Sequence, residues 1–197
     1  MRMSIRWIAE RLNVPRLMRD TRGVAAVEFA VILPVILMLF LGTIGVSTGV
    51  AVYRKVIILT RTLSDLISQA QKLEASDIPN AFNISSAVMA PYPSAPVQAK
   101  ISQVYIEPTT LVAKVKWGAS LNATARGCND VVTELVPDGI RIGGTYLIMS
   151  EVSYDYTPVA GVSGGSFSPP TFHLKDRTFT RPRETDSVTN PSAATCN

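Results

Sequence analysis

Between Phe29 and Val52 the chain runs FAVILPVILMLFLGTIGVSTGVAV, 24 positions without one charged side chain. At about 1.5 Å per residue such a helix spans roughly 36 Å, enough to cross the hydrocarbon of a bilayer. A core helix of a soluble domain keeps a polar face, whereas this stretch is apolar all round until Thr43, Ser47 and Thr48. A transmembrane helix over residues 24–52 is expected, and it constrains the rest: the chain has 197 residues, room for one further domain of ordinary size.

Charge gives the helix a direction. The first 22 residues hold six arginines (Arg2, Arg6, Arg11, Arg16, Arg19 and Arg22) against Glu10 and Asp20, a net +4 that equals the formal charge of the whole chain. The remaining 13 cations and 13 acids cancel, so the isoelectric point near 9.2 belongs to the N-terminal leader and points to no nucleic-acid surface. Beyond the apolar stretch only Arg54 and Lys55 lie close, so the positive-inside rule places the N-terminus in the cytoplasm and translocates the C-terminal part. Gly49-Val50-Ala51 would suit signal peptidase, but a secretory apolar core runs only about 7 to 15 residues. The chain is expected to stay anchored in membrane lipid.

One acid breaks the pattern. Glu28 stands at the cytoplasmic entrance of the apolar helix, where a carboxylate costs up to roughly 2.5 to 3.5 kcal/mol at mid-membrane and less near the interface. It is either solvated at the headgroups, paired with Arg22 or Arg19, or there for another reason. Its setting is TRGVAAVEFAVILP: a glycine after a basic run, a glutamate five positions on, an aromatic, then a proline-bearing apolar helix.

This setting resembles a prepilin cleavage site, and the Glu-Phe pair in R-G-x-A-A-V-E-F-A is similar to the TadE-like pseudopilins of the tight-adherence (Tad/Flp) type IVb pilus system. The close resemblance covers about residues 19 to 55. It implies cutting after Gly23 by a prepilin peptidase, a mature chain starting at Val24, and Glu28-Phe29 as the fifth and sixth residues. It also implies a minor pilin or pseudopilin that helps assemble an adhesive pilus. The implied partners are other pilins, TadE-like pseudopilins and an inner-membrane assembly platform, and the implied location is the bacterial inner membrane with the C-terminal domain periplasmic. Cutting would create an ammonium at Val24 that a carboxylate one turn away, or on a neighbouring subunit, neutralises. Glycine before the cut lets a peptidase approach the backbone closely.

After Val52 the apolar residues Val52, Val56, Leu59, Leu63, Leu66, Ile67, Ala70 and Leu73 recur at three- and four-residue steps, one stripe of an amphipathic helix. No proline intervenes between Pro34 and Pro79, so residues 53–75 are read as a continuation of the membrane helix. Gly42, Gly45 and Gly49 put small residues at steps that let another helix approach. Residues 76–96, rich in Pro and Asn, read as a linker.

Residues 97–180 read as an antiparallel sheet domain. Strand signals lie at Val97–Glu107 and Leu111–Gly118, joined as a hairpin, and at Thr145–Tyr156 and Thr171–Thr180. In the second, Leu111, Ala113, Val115 and Trp117 are expected on one face. Asp130–Leu135 is read as one helical turn, Gly143-Gly144 and Gly164-Gly165 as turns, and residues 181–197 as a loose tail. The fold class is α+β: a long N-terminal helix, membrane-spanning then amphipathic, packed in pilin-like fashion on a C-terminal antiparallel sheet.

Cys128 and Cys196 are the only cysteines; outside the cytoplasm they are candidates for one disulfide, and no Cys/His spacing suggests a metal site. His173 is the only histidine, its neighbours Phe172 and Leu174 suit a strand, and no nucleophile, phosphate loop or acid pair accompanies it. Neither catalytic residues nor a cofactor are expected. The competing function is an uncleaved single-pass anchor whose extracytoplasmic β-domain binds a ligand or acts as an adaptor. A membrane-bound enzyme dependent on His173 is a third alternative.

Overall fold

The computed structural model describes residues 23–158 and 170–191. The chain divides into two units, Met1–Gly45 and Val46–Asn197. The basic residues 1–22, residues 159–169 with the expected turn at Gly164-Gly165, and the last six residues with Cys196 lie outside the described residues.

Helix α1, Val24–Ser68, is 45 residues long and contains Pro34. In the first unit its side chains are exposed on all faces; Met38 is 76% and Val31 66% accessible. Its most apolar 18-residue window has a mean hydropathy of 2.7 with no residue buried, so the helix is long and apolar enough to cross a membrane. Thr43 donates its hydroxyl to the Leu39 carbonyl at 2.8 Å, hiding its polarity on the helix itself.

In the second unit the same helix has one buried stripe, Val52, Val56, Leu59, Leu63 and Ile67, each at most 1% accessible. Leu66, expected in the stripe, is exposed. The helix stops at Ser68 rather than continuing to residue 75. There the Ser68 carbonyl accepts from the Arg183 amide at 2.9 Å, and the Leu73 amide donates to Thr189 at 2.9 Å in a short parallel bridge. Leu73 is still buried, but it arrives from an extended segment.

The stretch read as a linker contains helix α2, Asp77–Met89. Pro79 is its third residue, inside the first turn where a missing amide costs no hydrogen bond, and Asp77 supplies the acid favoured there. Ala81, Phe82, Ser85 and Met89 form its buried face.

Four strands, β1 Val97–Ile106, β2 Ala113–Leu121, β3 Tyr146–Tyr156 and β4 Phe172–Thr180, form one antiparallel sheet in the order β2-β1-β3-β4. The architecture is α+β. One face, through Ala99, Ile101, Ile148, Val152 and Tyr154, packs with the α1 stripe and with Phe82 and Met89 of α2. Each fully buried aliphatic side chain here contributes on the order of 1.5–3 kcal/mol.

A second core lies around Val104, Ile106, Ala113, Val115, Leu147 and Met149 with Val132 and Val136. A bulge decides which residues go to which core. Gln103 pairs with Trp117 but Val104 pairs with Val115, leaving Lys116 as an extra residue of β2. Trp117 therefore turns to the helix side while Ala113 and Val115 face the second core, and Leu111 is exposed at φ 55°. The single face expected for these four residues is split. The predicted turn near 130–135 is a short 3-10 turn at Thr133–Leu135, followed by another at Asp138–Ile140.

At Gly143-Gly144 the expected turn forms: Gly144 has φ +79°, and a Cβ on Gly143 would come within 2.8 Å of the Pro108 backbone. The tail is not loose as far as it is described. Val188 is fully buried, Asn190 is 2% accessible, and the Trp117 indole donates to the Val188 carbonyl at 2.8 Å.

Candidate functional site

The residues around Gly23 and Glu28 lie at the start of α1. Gly23 is the last residue before the helix, and Val24 is its first. Among the described residues, a Cβ on Gly23 would meet nothing within 4 Å, so packing against them does not require glycine at this position. Glu28 lies one helical turn after Val24, on the same face of α1, a spacing at which side chains can interact. Among the described residues Glu28 has no hydrogen-bond or ion-pair partner, and Arg19 and Arg22 lie outside them. Phe29 is 62% accessible beside it. Chemically this is a lone acceptor in an apolar setting, able to bind one cation.

Gly42 is equally open: a Cβ there would meet nothing within 4 Å. Gly49 differs, because its Cβ would lie 3.2 Å from the Tyr156 ring; this glycine is used within its own unit, where α1 meets β3. Gly45 lies three residues beyond Gly42 on the same helix.

A second polar place lies on the sheet face turned away from α1. Glu151 of β3 accepts from Arg126 at 2.6 and 2.9 Å and from Arg177 of β4 at 3.0 Å. Burial pushes the Glu151 carboxyl up, but the hydrogen bonds and charges of Arg126 and Arg177 outweigh it and hold it below the ordinary carboxylate value. The hydrogen bond to Glu151 likewise raises Arg126. Two rows along the same face, His173 Nδ1 and Asp155 are 2.6 Å apart, both well exposed, which places the histidine at the surface. Lys100 and Lys175 share this face across a shallow recess of about 670 Å³.

Sequence reasoning missed the arginine pair around Glu151. Both strands are readable in the sequence, but the long connection between them hides the register that sets Glu151 opposite Arg177. Cys128 is exposed, with its sulfur 3.8 Å from the Lys116 carbonyl; Cys196 lies outside the described residues. Among the described residues no group of three metal-ligating side chains occurs.

Searches of curated proteins and of solved structures found no match to this chain. A family model does match: residues 23–61, from Gly23 through Glu28-Phe29 and the apolar helix into the buried stripe, fit the model of the TadE-like proteins, and over that stretch the chain is similar to them.

Proposed function

We propose that this protein is a minor pilin or pseudopilin, cut after Gly23 by a prepilin peptidase, that takes part in assembling a Tad/Flp-type pilus used for adhesion. The observation that carries the reading is Glu28: a carboxylate without a partner among the described residues, on an exposed apolar helix, one turn from Val24 and inside the TadE-like match. A charge in that setting calls for a counter-charge. A new amine at Val24, on the same chain or on a neighbouring subunit, supplies it. The open Gly23 supports the same reading, since the requirement for glycine then comes from the enzyme that cuts there.

The reading sets the partners and the place. The precursor is anchored in the inner membrane by α1 with its leader in the cytoplasm and its sheet domain outside. Other pilins, TadE-like pseudopilins and the assembly platform meet it through the apolar half of α1, where Gly42 leaves room for another helix.

Intact mass of the protein from cells that possess the peptidase is the direct test. The expected chain starts at Val24. A chain starting at Met1 overturns the reading, and a start at Ala51 or beyond indicates ordinary secretion. Glu28→Ala is expected to be cut normally yet to lose piliation; unchanged piliation would support the uncleaved-anchor alternative.

A further inference from the structure

The two edges of the sheet are treated differently. Along β2 the edge is covered by the chain itself: Val115 donates to Asp130 at 3.0 Å, and Asn129 and Val132 donate back to Val115 and Ala113, each at 2.9 Å. Along β4 no segment among the described residues pairs with the outer edge. An open strand of nine residues is a template for another strand.

Register arithmetic argues against a second copy in that position. In β4, His173, Lys175 and Arg177 lie on the face away from α1, opposite Asp155, Ser153 and Glu151. A two-fold antiparallel pairing of β4 with itself, with both helices on one side of the joined sheet, puts same-face residues opposite each other. Centred on Lys175, Asp176 or Arg177, it sets Lys175 against Lys175, Lys175 against Arg177, or Arg177 against Arg177. Like charges directly opposite are unfavourable.

On this face the outer strand itself presents His173, Lys175 and Arg177 and no acid; Asp176, which also lines the recess, belongs to the alternate set of β4 residues. Arg126 and Arg177 share the single carboxylate of Glu151, Asp155 is taken by His173, and Lys100 and Lys175 have no ion-pair partner among the described residues.

We propose that the β4 edge, Phe172–Thr180, is an interaction surface that receives an extended strand of a different protein chain bearing acidic side chains at alternate positions. The strand's backbone pairs with β4, and its acids lie beside Lys175 and Arg177. The inference does not depend on cleavage at Gly23, so either can fail alone.

The test uses the full-length protein in detergent micelles and three synthetic nine-residue peptides: alternating Thr and Glu, alternating Thr and Lys, and the Thr/Glu peptide with alternate amides N-methylated. Hydrogen exchange of the segment covering β4 is followed by mass spectrometry. The Thr/Glu peptide is expected to slow exchange across Phe172–Thr180, and Lys175→Glu to weaken its binding about fivefold. Lys175 is exposed and its substitution removes no ion pair, so the fold is retained. No protection by the Thr/Glu peptide, equal protection by the lysine peptide, or equal protection by the N-methylated peptide would each overturn the proposal. So would protection that appears without peptide as protein concentration rises, which marks self-pairing.

Discussion

Two glutamates show how environment sets a residue's use. Glu28 has no partner among the described residues, whereas Glu151, 15% accessible, is held by two arginines. Arg177 is itself 36% accessible and solvent-screened, so Arg126 carries the larger share of the stabilisation. Glu151→Gln is expected to cost about 2 kcal/mol at neutral pH, the scale of lost hydrogen bonds to a charged group. Because the folded-state value lies below the ordinary 4.5, the contribution is complete above that value and is lost as pH falls through the lower folded value. Thermal melts of wild type and variant between pH 7 and pH 3 should therefore begin to converge as the pH falls below about 4.5; a gap that ignores pH would refute the charge-based account. Glu28 was legible in sequence because an acid beside 24 uncharged residues has few reasons to be there. Glu151 was not, because its partners lie 25 and 26 positions away and only the folded register brings them together.

At the scale of elements, periodicity was the readable signal and local exceptions were not. The stripe from Val52 to Ile67 was predicted and is buried, since spacings of three and four put those residues on one side of any helix. The same rule overreached at Leu66, which sits one step off the line. Leu63→Ala is expected to destabilise the fold by about 2–5 kcal/mol, and Leu66→Ala by no more than about 0.5 kcal/mol, in denaturant unfolding of the protein in micelles. Equal losses would mean that the stripe is not what binds α1 to the sheet. The four strands were legible from their residue types and spacing, within a residue or two at most ends. The bulge at Lys116 was not: a pattern of period two carries no mark of one extra residue, yet that residue sends Trp117 to one core and Val115 to the other. Helix α2 was hidden by Pro79, which breaks a helix interior but is tolerated in its first turn.

At the scale of the whole molecule, the leader's charge and the fate of the cysteines belong to one argument. Under the proposed function, six arginines before α1 against two cations just after it would direct the domain out of the cytoplasm, into a compartment where thiols oxidise. The described tail ends close to where a bond with Cys128 would form. The Val188 carbonyl is held by Trp117, and the Cys128 sulfur lies 3.8 Å from the carbonyl of the preceding residue, Lys116. Only eight positions separate Val188 from Cys196, a reach of roughly 26 Å when extended. A Cys128–Cys196 disulfide would then fasten the tail across β2, the strand whose indole it already caps. Peptide mapping of the exported protein without reductant is expected to recover Cys128 linked to Cys196, and reduction to lower stability by about 2–4 kcal/mol. Replacing the six leader arginines with glutamine should hold the domain in the cytoplasm, and alkylation should then find both thiols free. Free thiols in the exported protein would refute the pairing, and a disulfide formed regardless of the leader would refute its link to topology.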